Sequence, residues 1–298
     1  MDRCSYFIEN KALFGSSPSQ ETVVQLEDIG VRYFIDLTYK NERNIYSYTT
    51  QYTKINYPII DRYIPTELIS FSSLILKICN IIKNLQNNEK IYIHCKGGHG
   101  RSGIVVACVL CIYLKISPEL ALELTKKYHR NRHTMNEKWR IIGSPQTDKQ
   151  KDFVRTFFKP IYFNNSYLNN ASPYPISIKD IGIFPTAESA YQYHKNPTDK
   201  EYIISQLNSK SSEESKHLGK NTLLAVDNWK DFRVSVMEKI LKQKFNQYPR
   251  LKSKLMSTCL KPIILCTNKK TFWTNMEYNM FGKILQKIRN EYIIDLNP

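Results

Sequence analysis

The segment His94-Cys95-Lys96-Gly97-Gly98-His99-Gly100-Arg101-Ser102-Gly103 decides the fold of the first half of the chain. Its first two residues end KIYIHC, whose composition predicts a buried strand over residues 90–95. Its last residue begins the apolar run GIVVACVLCIYL, which predicts a buried helix. A glycine-rich turn in this position directs consecutive main-chain N–H groups at one point beside the positive end of the helix. The segment therefore predicts a binding loop for an anion the size of phosphate.

Side chains of the same segment add chemistry to the loop. Arg101 supplies a planar fork for two phosphate oxygens. Cys95 lies in the positive field of the loop, which favours the thiolate form that attacks phosphorus. Ser102 can donate a hydrogen bond to this sulfur. We expect Cys95, Arg101 and Ser102 to act in catalysis, and we expect phosphate to be bound by Lys96, Gly97, Gly98, His99, Gly100 and Arg101.

Strand and helix patterns alternate on both sides of this loop. Residues 31–38 and 55–59 have the composition of strands, whereas residues 65–85 and 118–130 carry apolar side chains at helical spacing. Such alternation places parallel strands in one sheet and the helices on its faces. The sequence therefore predicts an α/β fold whose mainly parallel sheet is flanked by helices.

The loop sequence and its setting resemble the cysteine-dependent protein phosphatases, and the compact first half resembles their dual-specificity branch. The resemblance implies hydrolysis of phosphomonoesters through a phosphocysteine, without a metal or a cofactor. It also implies a general acid on a separate upstream loop, and this position matches Asp61 in YPIIDRYIP. Asp36, within a strand, and Glu67, at the start of a helix, fit that position less well.

The segment SPQTDKQ, at residues 144–150, resembles the part of related phosphatases in which a glutamine positions the hydrolytic water. Gln146 is the first candidate and Gln150 is the second. Alternatively, Ser144 and Pro145 only begin a helix whose exposed face carries glutamine. The substrate class stays open among a phosphoprotein, an RNA 5′-triphosphate and a phosphoinositide.

The composition is typical of a folded protein of about two domains. The chain has 298 residues, of which 42% are hydrophobic and 23% are charged, and its formal net charge is +16. This charge favours phosphorylated or nucleotide ligands, but it does not specifically indicate a nucleic acid. Seven irregularly spaced cysteines and the lack of a long apolar run lead us to expect a reducing, cytoplasmic location and no membrane partner.

The sequence pattern changes near residue 160. The stretch KPIYFNNSYLNNASPYP is rich in Asn, Ser and Pro, and helical patterns dominate after it. We therefore place one domain at residues 1–159 and a second, mostly helical α+β domain at residues 160–298.

The second half resembles NADAR (YbiA-like) domains. Five segments follow the order of that family: IYFNNSYLNNASPYPI, FPTAESAYQYHK, HLGK, WKDFRVSVMEKILKQKF and FWTNMEYNMFGKILQKIR. The resemblance implies an N-glycosidase that acts on ribosylated amines, including ADP-ribose-linked substrates and riboflavin-pathway intermediates. It implies Glu188 as the catalytic carboxylate and a pocket formed by Asn170, Gln192, Lys195, Trp273 and Asn279.

The sequence also departs from the NADAR pattern. Two acidic positions of the family are occupied by Leu265 and Lys270, and the loop after Trp273 is short and poor in glycine. Two interpretations therefore stay open. The second domain is either an active glycosidase or a domain that binds a nucleotide sugar or recruits a target without cleaving it.

Overall fold

The structure is a computed structural model that describes residues 3–45, 47–224, 228–267, 271–274 and 278–296. The chain forms two compact units. The first unit runs to Lys159, and the second runs from Pro160 to Asp295.

A five-stranded sheet forms the centre of the first unit. Its strands are β1 (Cys4–Ile8), β2 (Ala12–Ser16), β3 (Val31–Asp36), β4 (Thr53–Asn56) and β5 (Lys90–Cys95). They lie in the order β1-β2-β5-β3-β4, and only the β1–β2 pair is antiparallel. The mainly parallel sheet expected from the sequence is confirmed, and the β1–β2 hairpin extends it at one edge.

Six helices accompany this sheet. They are α1 (Gln20–Asp28), α2 (Leu68–Asn84), α3 (Arg101–Tyr113), α4 (Pro118–Arg130), α5 (Glu137–Ile142) and α6 (Asp148–Phe157). Helix α3 is buried from Arg101 to Cys111 and contacts α2, α4, α6 and β5. Burial on all sides explains why its sequence is apolar around the whole helix.

The glycine-rich loop from β5 to α3 leaves the sheet at the carboxyl ends of its parallel strands. Strand β5 is central, and its last residue, Cys95, lies opposite Ser16 at the end of β2. The preceding His94 lies opposite Asp36, at the end of β3. Parallel strands end together at the edge where open α/β folds bind their ligands. The loop from β5 to α3 therefore begins where neighbouring strands also end and send out their own loops.

The second unit is mostly helical. Its strands are β6 (Ile161–Phe163), β7 (Ile176–Ile178), β8 (Gly182–Phe184) and β9 (Ile263–Leu265), and its helices are α7 (Ala187–Tyr193), α8 (Lys200–Leu207), α9 (Ser212–Asn221), α10 (Trp229–Gln247), α11 (Pro249–Met256) and α12 (Met280–Asp295). Strands β6 and β9 pair in parallel, whereas β7 and β8 form an antiparallel hairpin. This architecture confirms the expected helical α+β class.

Across the described ranges, no helix has both the length and the apolar character needed to cross a bilayer.

Gly98 provides a test of the loop conformation. Its φ is +73°, and a Cβ at this position would lie 2.4 Å from the carbonyl carbon of Gly15. We expect Gly98→Ala to lower the free energy of unfolding by about 1–3 kcal/mol, because both the backbone angle and the close approach exclude a side chain. Urea denaturation measures this change.

Gly97→Ala is the matched control for Gly98→Ala. The φ of Gly97 lies outside the left-handed region, and its Cβ would meet only the His99 ring, at 2.9 Å. Equal destabilisation by the two variants would contradict the described loop.

Candidate active site

Cys95 is the last residue of β5 and is buried, with 2% of its surface exposed. Its Sγ lies 3.6 Å from Oγ of Ser102, in the first turn of α3. The loop between them is tied to β2, because the Ser17 N–H donates to the carbonyl of Lys96 at 3.1 Å. The structure thus brings together the predicted nucleophile, Cys95, and the Ser102 hydroxyl predicted to donate a hydrogen bond to its sulfur.

Arg101 is the first residue of α3 and is 1% exposed. One edge of its guanidinium, formed by Nη1 and Nη2, pairs with both carboxylate oxygens of Glu42. Nη2 also donates to Asp61 Oδ1 at 2.9 Å, and Nη1 donates to the carbonyl of Ile59 at 2.8 Å. Nε has no hydrogen-bond partner. Burial acts to lower the pKa of Arg101, but hydrogen bonding to Glu42 and the charges of Cys95, Glu42 and Asp61 outweigh it and raise this pKa.

Glu42 is a site residue that the sequence analysis did not identify. It lies in the loop after β3, where its Oε1 also accepts a hydrogen bond of 2.6 Å from the Tyr39 N–H. Its carboxylate is largely buried, with 12% of the side chain exposed. The loop sequence TYKNE contains no local motif that distinguishes this carboxylate from other surface acids.

Of the three acids considered for the catalytic role, the structure brings Asp61 to Arg101. The Asp61 side chain is 52% exposed, so it can be reached by a substrate. Asp36 is instead held by Thr38, whose hydroxyl donates at 2.6 Å, and by Lys54 at 3.0 Å. Glu67 lies at the start of α2 and makes no side-chain capping bond there.

The segment before α6 supports the loop from another side. Ser144 Oγ donates to the His99 carbonyl at 2.6 Å. The fully buried Gln150 lies so close to Gly100 that a Cβ there would be 2.8 Å from the Gln150 amide. Gln150 Nε2 also donates to the Tyr63 carbonyl at 3.2 Å. Of the two candidate glutamines, Gln150 therefore places its side chain against the loop, whereas Gln146 donates its main-chain N–H to Gln150 Oε1.

The side chain of His94 stabilises the end of β5 through buried contacts. It is fully buried, its Nε2 lies 2.7 Å from the Tyr48 hydroxyl, and its ring stacks on Tyr92. Burial lowers the pKa of His94 to about 4, although the charge of Asp36 opposes this shift. The imidazole is consequently neutral at pH 7 and acts through packing and hydrogen bonding.

In the second unit, Glu188 is the centre of a buried polar cluster. This residue of α7 is 4% exposed, and its Oε1 accepts a hydrogen bond of 2.6 Å from Gln192 Nε2. Asn170 donates from Nδ2 to Oε2 of Glu188, and the Asn170 carbonyl accepts from the Glu188 N–H at 2.9 Å. Burial raises the pKa of Glu188, while Lys216, Gln192, Lys195 and Asn170 oppose the rise.

Two lysines act on this carboxyl through their charge. Lys195 donates from Nζ to the Gly219 carbonyl at 2.7 Å, and burial is the main cause that lowers its pKa. Lys216, on α9, was not identified from the sequence, although its charge also stabilises the ionised form of Glu188. The cluster therefore combines one carboxyl, two amides and two nearby cations.

Lys244 anchors the loop that carries Asn170. Its fully buried ammonium donates to the carbonyls of Tyr167 and Asn169, at 2.6 and 2.8 Å, and to Ser172 Oγ at 2.7 Å. These three acceptors match the three donors of an ammonium group. Burial lowers the pKa of Lys244 to about 7. This residue was also not identified from the sequence.

Trp273 and Asn279, the remaining predicted pocket residues, make their described contacts with other residues than Glu188. The Trp273 ring meets the Tyr191 ring edge-on at 5.9 Å, and Tyr191 belongs to α7 beside Glu188. Asn279 bonds to the main chain of β9, donating to Ile263 at 2.6 Å and accepting from Leu265 at 3.3 Å. Lys270 lies outside the described residues.

Neither site presents a metal-binding cluster: the part of the chain that the structure describes contains no group of three or more His, Cys, Asp or Glu side chains arranged for an ion.

Two family models match the chain in tandem. The model described as "Polymorphic toxin system, DSP-PTPase phosphatase" matches residues 10–113, and the NADAR domain model matches residues 155–292. A protein of Invertebrate iridescent virus 6, described as "Putative tyrosine phosphatase 197R", is 33% identical over 98% of this chain and 96% of its own length. The chain belongs to the same family as this viral protein.

Two further relatives match parts of this phosphatase–NADAR chain. "Putative tyrosine phosphatase 067L" of Invertebrate iridescent virus 3 is 40% identical over 58% of this chain and 73% of its own length. The chloroplastic riboflavin biosynthesis protein PYRR of Arabidopsis thaliana is 32% identical over 33% of this chain and 18% of its own length. Hereafter the first unit is called the phosphatase unit and the second is called the NADAR unit.

Glu42 offers a test of the Arg101 contacts. We expect Glu42→Gln to lower kcat/KM for p-nitrophenyl phosphate by about tenfold or more, because an amide carries no charge and cannot accept from both Nη1 and Nη2. Steady-state kinetics measures the change. Glu123→Gln, at an exposed position of α4, is the control and should retain wild-type kinetics. Unchanged activity of Glu42→Gln would show that Arg101 is held without this carboxylate.

Proposed function

We propose that the phosphatase unit hydrolyses phosphomonoesters through a covalent phosphocysteine on Cys95. The observation that carries the proposal is the arrangement around the loop: a buried Cys95 with Ser102 at 3.6 Å, and the Arg101 guanidinium joined to Asp61. Cys95, Arg101 and Ser102 occupy one strand–loop–helix unit of the kind that binds phosphate through main-chain N–H groups, and Asp61 reaches it from the loop between β4 and α2. Family membership supports the same chemistry.

The two edges of Arg101 have separate roles in this proposal. Glu42 holds the Nη1–Nη2 edge, which fixes the orientation of the guanidinium. The other edge combines the unpaired Nε with Nη2, which bonds Asp61. When Asp61 leaves Arg101, this second edge is free to donate to two oxygens of a phosphoryl group. Binding of substrate therefore exchanges one anionic partner of Arg101 for another.

The same exchange prepares Asp61 to act as the general acid. The exchange releases the Asp61 carboxyl from its ion pair with Arg101, so that this group is free to reach the ester oxygen of the substrate. In the first step the Cys95 thiolate attacks phosphorus, the bond from phosphorus to the ester oxygen breaks, and Asp61 gives its proton to that oxygen. The products of this step are an alcohol or phenol and the phosphocysteine.

The second step restores the enzyme. Asp61, now ionised, takes a proton from water while the water oxygen attacks phosphorus and the bond from sulfur to phosphorus breaks. Ser102 donates a hydrogen bond to the leaving thiolate. Gln150 or Gln146 orients the water, and the contact of Gln150 with Gly100 favours Gln150 for this role. Inorganic phosphate is released, and no metal takes part in either step.

We propose that the substrate is phosphotyrosine or another phosphomonoester, in line with the description of the viral relatives as putative tyrosine phosphatases.

The mechanism needs a reduced thiol at Cys95, and we therefore place the chain in a reducing, intracellular compartment. We further propose that residues 1–159 and residues 160–298 are its two domains.

Two substrates with different leaving groups test the roles of Cys95 and Asp61. We expect Cys95→Ser to lose activity by at least about 10³-fold on both p-nitrophenyl phosphate and phenyl phosphate. We expect Asp61→Asn to slow phenyl phosphate about 10²-fold but p-nitrophenyl phosphate much less, because p-nitrophenolate leaves without a proton. Steady-state rates at matched enzyme concentration measure both effects.

Glu67→Gln is the control for Asp61→Asn, since Glu67 is an upstream acid without a side-chain capping contact. It should retain both rates. An equal loss on the two substrates in Asp61→Asn would exclude Asp61 as the proton donor.

For the NADAR unit we propose cleavage of the glycosidic C–N bond of a ribosylated amine, with Glu188 as the carboxyl that stabilises positive charge at the sugar carbon or prepares water. The cluster supports this role, because Asn170 and Gln192 orient both oxygens of a buried carboxyl. Lys195 and Lys216 add positive charge that suits a phosphorylated ribose. The similarity to the plant riboflavin biosynthesis protein agrees with the riboflavin-pathway intermediates that the resemblance to NADAR domains implies.

A panel of N-ribosylated amines and ADP-ribosylated nucleotides tests this activity, with release of the free base followed by chromatography. We expect Glu188→Gln to lower the rate at least about 10²-fold while ADP-ribose still binds, because the amide keeps the shape but not the charge. Glu201→Gln, at an exposed position of α8, is the control. Wild-type rates in Glu188→Gln would exclude Glu188, and ADP-ribose binding without cleavage by the wild type would assign the unit as a binding domain.

A further inference from the structure

A pocket of about 1020 Å³ lies beside the phosphate loop. Lys96, Gly97 and His99 of the loop form one wall, and residues 16–19 at the end of β2 form another. Arg132 and residues 134–136 between α4 and α5 contribute a third, together with Trp139 of α5. A cavity of this volume is large enough for an organic molecule of drug size. Because three loop residues line it, a substrate held by the loop can extend into this space.

The pocket has a strongly positive lining. Three cationic residues line it, namely Arg3, Lys96 and Arg132, and none of its lining residues is an Asp or a Glu. Hydroxyl and amide groups account for much of the remainder, including Ser17, Thr22 and Asn136. A concave surface with cations, polar donors and no carboxylate attracts an anion.

Arg132 is the least expected of these residues. It is 2% exposed, its Nη2 donates to the Phe14 carbonyl at 3.1 Å, and its guanidinium lies 4.5 Å from the centre of the Phe14 ring. Its Nε has no hydrogen-bond partner, and across the described residues no carboxylate forms an ion pair with it. Burial lowers the pKa of Arg132 to about 10, against the opposing charges of Tyr92, Cys95 and Cys4, so the side chain is still charged at neutral pH.

A second buried arginine, Arg289, also has no carboxylate partner among the described residues, and it differs from Arg132 in that its Nε is hydrogen-bonded. Arg289 is also 2% exposed, but its Nε donates to Asn290 Oδ1 at 3.1 Å, and its Nη1 donates to Thr258 and Lys261. A buried cation without a counter-charge is costly, and removing a partner from such a group destabilises a protein strongly. Arg132 lines a pocket and keeps an unused donor, which suits an anion supplied from outside the chain.

His99 adds a neutral donor to the same wall. Its Nδ1 lies 2.7 Å from Nε2 of His129, and the buried Nδ1 of His129 has no partner. An unpaired buried N–H is rarer than an unpaired acceptor, so the His129 proton is assigned to Nε2, where it is donated to His99. Burial lowers the pKa of His99 to about 4, and a neutral His99 that accepts at Nδ1 must carry its own proton on Nε2. The stack of Trp139 on His99, at 4.5 Å, holds the ring in place.

Building on the proposed phosphatase function, we propose that this pocket binds a second phosphate group of the substrate, so that the substrate is a small molecule carrying two phosphates. The loop holds the phosphate that is removed. Arg132, Lys96 and Arg3 receive the other phosphate, and His99 donates to it or to the linker between the two. A nucleotide and a sugar share this chemistry, and matched substrates distinguish them.

The first experiment measures kcat/KM for two matched pairs: adenosine 3′,5′-bisphosphate against AMP, and fructose 1,6-bisphosphate against fructose 6-phosphate. In the wild type we expect kcat/KM for at least one bisphosphate to exceed kcat/KM for its monophosphate by about tenfold or more. A factor of this size is what one charged hydrogen bond contributes to binding. The pair that shows this preference identifies the source as a nucleotide or a sugar. In Arg132→Gln we expect the ratio of kcat/KM for the bisphosphate to kcat/KM for the monophosphate to fall to within about threefold.

Two other variants keep the test decisive if Arg132→Gln fails to fold. Arg3→Gln removes an exposed cation of the lining, and it should reduce the bisphosphate preference without affecting stability. Lys127→Gln removes an exposed cation of α4 that does not line the pocket, and it should leave the preference unchanged. These variants separate a local effect of the pocket from the general loss of one positive charge.

The outcomes separate this proposal from the proposed function. If p-nitrophenyl phosphate turnover depends on Cys95 but bisphosphates and monophosphates differ by less than about twofold, the second phosphate site is wrong and the phosphatase assignment stands. A doubly phosphorylated peptide whose kcat/KM exceeds that of every small bisphosphate would overturn the assignment to small molecules. Absence of any turnover that depends on Cys95 would overturn the phosphatase function itself.

Discussion

The ion pairs of Arg101 are the contacts on which the arrangement around the loop between β5 and α3 depends. This buried guanidinium begins α3, and it joins the loop after β3, through Glu42, to the loop that carries Asp61. Both loops leave the sheet near the end of β5, where Cys95 lies. One cation therefore connects three separate chain segments around the sulfur. Because the pair of Arg101 with Glu42 is largely buried, separating Glu42 from Arg101 would carry a large cost in free energy, whereas the half-exposed Asp61 can leave when phosphate takes its place.

The two units use buried charge in opposite ways. In the phosphatase unit a cation is surrounded by carboxylates and carbonyls, and the site is suited to exchange one of these anions for phosphate. In the NADAR unit a carboxyl, Glu188, is surrounded by amides and influenced by two lysines. A further lysine, Lys244, fixes the adjacent loop through three main-chain and hydroxyl acceptors. The net charge of +16 thus includes cations with specific positions in both units.

The sequence predicted the elements whose pattern is local. Strand β5 and helix α4 match their predicted bounds, because β5 is a short run of strand-forming residues and Ser117 with Pro118 marks the start of α4. The family of the first half followed from one short motif, and that of the second half followed from several weaker matches in the order of NADAR domains. The β1–β2 hairpin was not predicted, since each of its strands has only five residues.

The contacts that complete the two sites depend on distant pairing and could not be predicted in this way. Glu42 lies 59 positions before Arg101, and the loop around it has no distinguishing pattern. Lys244 lies 75 positions after the carbonyl of Asn169 that it binds. The choice between Gln146 and Gln150 depends on which side chain faces Gly100, and this is set by the capping box that begins α6. Tertiary structure, rather than sequence spacing, determines these partners.

The covalent intermediate is the most direct test of the central claim, which is that the loop at the end of β5 transfers a phosphoryl group to a cysteine sulfur. Wild-type protein would be mixed with a ³²P-labelled aryl phosphate, quenched in acid during turnover, digested and mapped by mass spectrometry. The account predicts a transient label, approaching one phosphate per chain, on the peptide that contains Cys95. Hydrolysis that proceeds without any label on Cys95, or with label on a different residue, would contradict it.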